Sequence, residues 1–299
     1  MIAVRSSMTI QNGPPIWPFQ EECRVSSQHS GSPLSQIYWE WIRQMTEMAM
    51  LKEDLVTANR ILSHHNVVDS FGHVSVRNPE NPAHYFLSRA RAPNCVELGD
   101  ITEFDFQGNV IGYEPGKPYS ERFIHGSVYE ARPEVMAVVH NHSPNVVPFT
   151  VQTKKKMRPI MHMCAPIGND IPTWDIADKF GTTNLLVTSV DMGRDLACCL
   201  GHQRVALMRG HGSVVTGKSL REVVFLSVYM ELNAEMLIKA YQLGEGDVTF
   251  LSDGEVNANA AGRAGFTLER GWENWCKVTE RPYFPQTWNM GPGFSKSDA

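Results

Sequence analysis

The stretch GKPYSERFIHGSVYEARPEVMAVVHNHSP, residues 116–144, predicts a helix followed by a buried strand that ends in two histidines. Ser120 is a preferred type of helix N-cap, so the helix is expected to begin there. The following AVVHNH, residues 137–142, is apolar until its polar end, which is typical of a strand inside a sheet. Alternate residues of a strand point to one face, so His140 and His142 are expected to project together where it ends.

Strands and helices alternate along the rest of the chain. Apolar residues at helical spacing predict one or two amphipathic helices over 36–65, and 219–243 is the longest predicted helix. The other predicted elements are strands over 73–78, 84–89 and 101–106, near 158–162 and over 204–210, and helices opened by Ser143-Pro144 and beginning around Thr183. This order indicates one continuous α/β domain.

Three parts are predicted. Residues 1–34, rich in Ser, Pro, Gln and Gly, show no periodicity and are expected to form a loosely ordered N-terminal extension. Residues 35–245 are expected to form the main domain. Residues 246–299 are expected to form a C-terminal segment, with a loop over Asp253–Gly265, a short helix around Trp272–Trp275 and a tail.

The composition excludes several classes of protein. The 27 Lys and Arg against 32 Asp and Glu give a net charge of −5, which offers no basic face for nucleic acid. No apolar run is long enough to span a membrane, and the first residues lack the apolar stretch of a secretory signal. The six cysteines form no CxxC pair, as expected of reduced thiols. We therefore expect a cytoplasmic protein with neither nucleic acid nor membrane as partner.

Three histidines at the ends of predicted strands are candidate metal ligands. They are His140, His142 and His211, the last within Arg209-Gly210-His211-Gly212 directly after the strand at 204–210. Histidines without a nearby cysteine are typical of an open catalytic site for one divalent metal ion, for which zinc, manganese, iron and cobalt all qualify. The alternative is that His140 and His142 merely end a strand.

Two further residues near the predicted helix start have a functional and a structural interpretation. Glu121 is either a catalytic carboxylate or an acidic residue stabilised by the helix N-terminus. His125, one turn further along, is either a fourth ligand or a buried core histidine, and the core role is favoured.

Residues 116–144 together with RVALMRGHGSVVTGKSLREVVFLSVYMELNAEMLIKAYQLG, residues 204–244, resemble the class II aldolase/adducin family. The resemblance extends from about Ile37 to Leu243. It implies a three-layer α/β/α fold around a central, mostly antiparallel sheet. It also implies a homotetramer with active sites near subunit interfaces.

The same resemblance implies roles for four residues. In metal-dependent aldolases of the family, the HxH pair and the later histidine hold the metal, which corresponds here to His140, His142 and His211. The glutamate before the helix is the acid/base, which corresponds to Glu121.

The chain departs from sugar-phosphate aldolases of the family where those enzymes hold phosphate. Their GN.S, TPTG or TPSG, and PSSE segments read here Gly72-His73-Val74-Ser75, Leu87-Ser88-Arg89-Ala90 and Pro118-Tyr119-Ser120-Glu121. A phosphate site needs several small donors, so the bulky His73, Arg89 and Tyr119 would fill it. The general-acid tyrosine of the aldolases is replaced by Met163, after His162.

The replacements resemble the decarboxylase branch of the family, whose members act on hydroxylated aromatic, pyridine or ring-cleavage-product carboxylates. Arg89 offers a planar fork for a carboxylate, His73 can donate to a second oxygen, and Tyr119 could flank a flat ring. The predicted substrate-binding set is His73, Ser88, Arg89, Tyr119 and Ser120, with His125, His162 and Arg91 as candidates for supporting contacts.

These features predict a divalent-metal-dependent lyase that cleaves a carbon–carbon bond, by decarboxylation of a small hydroxylated carboxylate. Decarboxylation and retro-aldol cleavage both move an electron pair towards a neighbouring oxygen, where a cation stabilises the developing charge. Three alternatives stay open. They are an aldolase acting on an unphosphorylated hydroxy-keto acid, an iron-dependent oxygenase on the same fold, and a non-catalytic adducin-like interaction module.

Overall fold

The computed structural model describes residues 46–244, 247–261 and 266–285, and an eight-stranded sheet runs through these ranges. Its strands are His73–Arg77 (β1), His84–Ser88 (β2), Ile101–Asp105 (β3), Val110–Ile111 (β4), Ala137–Asn141 (β5), Thr173–Trp174 (β6), Val205–Met208 (β7) and Gly212–Gly217 (β8). The spatial order is β4-β3-β2-β1-β5-β8-β7-β6. All neighbouring pairs are antiparallel except the parallel pair β6 and β7, so the predicted mostly antiparallel sheet is confirmed.

Helices cover both faces of this sheet and complete the three layers expected from the sequence. They are Glu47–His64 (α1), Phe123–Ala131 (α2), Val147–Val151 (α3), Ala177–Phe180 (α4), Val190–Leu200 (α5), Leu220–Leu243 (α6), Asp253–Ala261 (α7) and Phe266–Val278 (α8). Val74 and Val76 of β1 belong to a core shared with α1, α6 and α8. Tyr85 and Leu87 of β2 belong to a second core, on the opposite face, shared with α2 and α5.

Serine side chains set the start of two of these helices. Ser219 accepts a hydrogen bond from the backbone N–H of Glu222 at the start of α6, and Ser189 accepts one from Met192 at the start of α5. Each bond satisfies a backbone donor that the helix itself leaves without a partner.

Three predicted helix starts lie elsewhere. α2 begins at Phe123 without a side-chain cap, because a separate turn precedes it and leaves Ser120 exposed. The helix expected near Thr183 begins at Val190, since the Thr183 hydroxyl accepts a bond from the N–H of Leu185 and holds a loop instead. The helix expected at Ser143-Pro144 begins at Val147, after a turn.

The prediction of a strand near 158–162 is wrong, because a side chain of α6 takes the backbone hydrogen bonds that a neighbouring strand would make. The N–H of Ile160 donates to Asn233 Oδ1, and Asn233 Nδ2 donates to the carbonyl of Arg158. A short 3₁₀ helix, His162–Ile167, follows.

The C-terminal segment has more helix than the sequence predicts. The loop expected over Asp253–Gly265 contains α7, and residues 262–265 lie outside the described residues. α8 extends over thirteen residues, and its Trp272 is fully buried in the core with α1 and α6. The expected N-terminal extension, residues 1–34, and residues 286–299 also lie outside the described residues, so the three-part division stays a prediction.

Two sequence-based exclusions can be compared with the described ranges. No helix in them is both long and apolar enough to cross a membrane. The five cysteines that they include are all free thiols.

Candidate metal centre

His140 and His142 lie at the end of β5, in the middle of the sheet. His140 is paired across the sheet with His73 on one side and Val214 on the other. The Nε2 atoms of His140 and His142 lie 3.1 Å apart, so the two imidazoles project together as predicted. His140 Nδ1 lies 3.1 Å from the carbonyl oxygen of Ser213, and donating its hydrogen there leaves Nε2 with a free lone pair.

His211 reaches the same point from the tight turn between β7 and β8. Gly210 adopts a φ of +64°, a left-handed conformation that glycine adopts without strain. At Gly212 an added Cβ would lie 2.0 Å from the carbonyl oxygen of Asn141, so only glycine lets β8 begin this close to β5. As a result His211 Nε2 lies 3.0 Å from His142 Nε2.

Glu121 brings a carboxylate to the three imidazoles. Its Oε2 lies 3.7 Å from Nε2 of both His140 and His211. Its Oε1 accepts a hydrogen bond of 3.0 Å from the backbone N–H of Val187, in the loop before α5. The residue is only 6% exposed, and burial raises the pKa of its carboxyl to about 7 although the Val187 N–H acts in the opposite direction.

The donor atoms of these four residues suit a divalent cation. One atom from each of Glu121, His140, His142 and His211 lies within 4.8 Å of the others. Two nitrogens bound to one tetrahedral zinc ion, each at about 2.1 Å, lie about 3.4 Å apart, a few tenths of an ångström more than the 3.1 and 3.0 Å between the imidazole nitrogens here. Burial lowers the pKa of all three histidines, to about 4 for His211, so the imidazoles are neutral near pH 7, the state that metal binding requires.

Arg89 and Arg91 both contact Asp100, a residue that the sequence analysis did not single out. Arg89 Nε and an Nη atom of Arg91 each lie 2.6 Å from a carboxylate oxygen of Asp100. The Nη atoms of Arg89 form no hydrogen bond to any residue that the structure describes. Arg89 follows Leu87 by two residues and so lies on the face of β2 that packs on α2. His140 lies on the same face of the sheet, beside His73.

The other predicted substrate-binding residues differ in their surroundings. The ring of Tyr119 packs against that of His73, with centroids 4.5 Å apart, and its hydroxyl donates to the carbonyl of Arg91. Ser88 is buried, whereas Ser120 and His162 are exposed. His162 is not part of the four-residue cluster.

His73 and His125 are both buried, and their rings are joined by a hydrogen bond. His125 is therefore a core histidine that contacts His73, and it is not a member of the four-residue cluster. Sequence reasoning missed Asp100, Val187, Ser75 and Tyr129, which hold these side chains. Only Ser75 had a sequence signal, since it lies two residues after His73 and therefore on the same face of β1.

Comparison with known proteins adds a family and a fold. Residues 53–238 match the family described as Class II Aldolase and Adducin N-terminal domain. The chain is 33% identical over 248 residues to decarboxylase tropJ of Talaromyces stipitatus, covering 75% of this chain and 92% of that protein. It is 26% identical over 236 residues to 3,4-dihydroxyphthalate decarboxylase of Arthrobacter keyseri, covering 75% and 91%. An aldolase II superfamily protein from Pseudomonas syringae has a similar fold, with a TM-score of 0.67 at 18% identity, covering 81% and 96%.

Proposed function

This chain belongs to the class II aldolase and adducin family, and we propose that it is a divalent-metal-dependent decarboxylase of hydroxylated aromatic or ring-cleavage-product carboxylates. Its relatives include decarboxylases and aldolases, and the chain is a lyase that acts on a small molecule. What the proposal adds is the reaction, the substrate class and the roles of individual residues.

The observation that carries the proposal is the convergence of three neutral imidazoles and one buried carboxylate within 4.8 Å. We assign His140, His142 and His211 to the metal ion. When bound, a divalent cation acts as a Lewis acid towards the oxygen on which negative charge develops. The neutral state of the three histidines supports this assignment, because a protonated imidazole cannot bind a metal ion.

Glu121 is the proposed acid. Loss of carbon dioxide breaks the bond between the substrate carbon and its carboxyl group, and the electron pair stays on the substrate. Glu121 then gives its proton to that carbon and recovers one from water. The pKa of about 7 that burial gives this carboxyl supports the role, and the charge of a bound cation acts in the opposite direction.

Arg89 and His73 are proposed to hold the substrate's carboxylate and a second oxygen. The Nη atoms of Arg89 stay available because Asp100 contacts its Nε. Tyr119, whose hydroxyl is used by the Arg91 carbonyl, offers its ring face to a flat substrate. The bulky Arg89 and Tyr119 stand where sugar-phosphate aldolases of the family have small residues, which disfavours a sugar phosphate as the substrate.

The experiment is a product screen with metal-loaded protein. Ortho-hydroxy aromatic carboxylates are offered first, beginning with 3,4-dihydroxyphthalate because a relative is named for it. We expect carbon dioxide release without oxygen consumption, abolished by a chelator and restored by one divalent metal. Pyruvate or an aldehyde among the products would favour the aldolase reaction, and oxygen consumption would favour an oxygenase.

Three further points are also proposals. They are a metal ion that is zinc, manganese, iron or cobalt, a cytoplasmic location, and a homotetramer with sites near subunit interfaces. They rest on the ligand set and on the family. Metal reconstitution and the molecular mass in solution test the first and the last.

A further inference from the structure

A continuous run of hydrogen bonds links buried side chains of β1 and α2 beside the metal ligands. His73 Nδ1 lies 2.6 Å from His125 Nε2, and His125 Nδ1 lies 2.6 Å from the hydroxyl oxygen of Ser75. That oxygen lies 2.8 Å from the hydroxyl oxygen of Tyr129. All four side chains are buried, where a polar group without a partner is costly, so the run holds its members in one arrangement.

The direction of this run follows from its far end, at Tyr129. The hydroxyl oxygen of Ser75 is the one hydrogen-bond partner that the described residues offer to the Tyr129 hydroxyl. The Arg77 guanidinium, 4.8 Å from the centre of the Tyr129 ring, has only donors and cannot accept the hydroxyl hydrogen. A buried hydroxyl hydrogen without an acceptor is costly, so the Tyr129 hydroxyl donates to Ser75.

Each following bond is then determined in turn. The single hydroxyl hydrogen of Ser75 goes to His125 Nδ1. Burial lowers the pKa of His125 to about 3, so its ring is neutral and carries one hydrogen, which must be on Nε2. This hydrogen is donated to His73 Nδ1.

We infer that Tyr129, Ser75 and His125 are positioning residues that fix His73 as the tautomer with its hydrogen on Nε2, aimed at an anionic oxygen of the substrate. The His73 ring lies 5.1 Å from that of His140, and its Nε2 has no hydrogen-bond partner in the part of the chain that the structure describes. The identity of the acceptor rests on the proposed function, whereas the positions of the hydrogens do not.

Nitrogen NMR of the zinc-loaded full-length protein, labelled with ¹⁵N at histidine, reports the tautomers. Protonated and unprotonated ring nitrogens give different shifts, and His73→Asn identifies the His73 signals. We expect hydrogen on Nε2 of both His73 and His125. Ser75→Ala should shift His73 towards the Nδ1–H tautomer and lower kcat/KM about tenfold, with metal content unchanged. Ser75→Thr, which keeps the hydroxyl, should restore both.

Two variants serve as matched controls for packing. Ser127→Ala removes a buried hydroxyl from α2, the helix that carries His125 and Tyr129. That hydroxyl contacts the carbonyl of Val190 and is not part of the run. Tyr85→Phe removes a hydroxyl bonded to the carbonyl of Arg122, from a ring that stacks on His125. Both should keep the natural His73 tautomer.

Two outcomes overturn the inference. They are hydrogen on Nδ1 of His73 in the natural protein, even if carbon dioxide is released, and an unchanged His73 tautomer in Ser75→Ala. Hydrogen on Nε2, in a protein that decarboxylates none of the compounds, would support the hydrogen-bond run and overturn the proposed function instead.

Discussion

Oε2 of Glu121 lies 3.7 Å from Nε2 of His211. Glu121 comes from the turn before α2 and His211 from the turn between β7 and β8, so the pair approaches the centre from two sides. The distance is too long for a hydrogen bond. The carboxylate is thus close to the imidazoles without being bonded to them, as expected of a group that transfers a proton to a substrate bound there.

The first prediction concerns this carboxylate. Glu121→Gln keeps the shape of the side chain but removes its acid, so turnover should fall by roughly 100-fold or more while metal content stays at the natural level. Steady-state kinetics with elemental analysis measures both. Glu231→Gln is a matched control, because Glu231 is also 6% exposed but is not one of the four clustered residues. Its carboxylate accepts a hydrogen bond from the side chain of Asn145. Full activity of Glu121→Gln would remove Glu121 from the mechanism.

The second prediction concerns substrate affinity. Arg89→Ala should raise KM for the carboxylate about tenfold or more, the size of a hydrogen bond between charged groups, and should change kcat less. Arg194→Ala is the control, since this exposed guanidinium pairs with Glu130 on the outer surface of α2 and α5. An unchanged KM in Arg89→Ala would contradict the anion-binding role.

The third prediction tests the packing of α2 on α5. At Gly193 an added Cβ would lie 2.4 Å from the Ser127 hydroxyl oxygen and 2.5 Å from the Phe123 carbonyl oxygen. Gly193→Ala should therefore lower the free energy of unfolding by about 2 kcal/mol, measured by urea denaturation. Gly254→Ala, in α7, is the matched control, because an added Cβ meets only a Ser252 atom at 3.9 Å. Equal stability of the two variants would show that the helices are less closely packed.

The fourth prediction is a pH dependence of stability at Asp54. This carboxyl of α1 is 1% exposed and lies 3.5 Å from Arg221, which also pairs with Glu269. Burial raises its pKa to about 7, with Arg221 acting in the opposite direction. An acid whose pKa is higher in the folded than in the unfolded state loses stability as pH rises from about 4 to about 7, because only the unfolded chain releases its proton.

Asp54→Asn has the shape of the protonated acid and does not ionise. Relative to the natural protein, its free energy of unfolding should rise between pH 5 and pH 8, by on the order of 1 kcal/mol or more. Urea unfolding of both proteins at the two pH values measures the difference in their free energies of unfolding. Titration of the histidines contributes equally to both proteins and so cancels in this difference. A difference independent of pH would contradict the raised pKa.

The sequence was sufficient for the parts of the site that depend on strand periodicity. His140 and His142 share a face because they are two residues apart at the end of a strand, and the glycines beside His211 indicate the tight turn that brings it close. These are local rules, and the sheet only has to place β5 beside β8.

Contacts between distant segments could not be predicted in this way. Asp100 contacts Arg89 because a 3₁₀ turn, Leu98–Asp100, precedes β3, and Val187 reaches Glu121 because α5 packs on α2. The segment at 158–162 has the composition of a strand, but Asn233 of α6 takes its backbone hydrogen bonds. No periodicity in the sequence encodes such pairings.

Elemental analysis of purified variants tests most directly whether three histidines hold one cation. The natural protein should contain about one divalent ion per chain. His140→Ala, His142→Ala and His211→Ala should each lose most of it, because two imidazoles bind far more weakly than three. His84→Ala, a histidine of β2 paired with Glu103, should keep the natural content. A full complement of metal in His211→Ala would contradict the proposed centre.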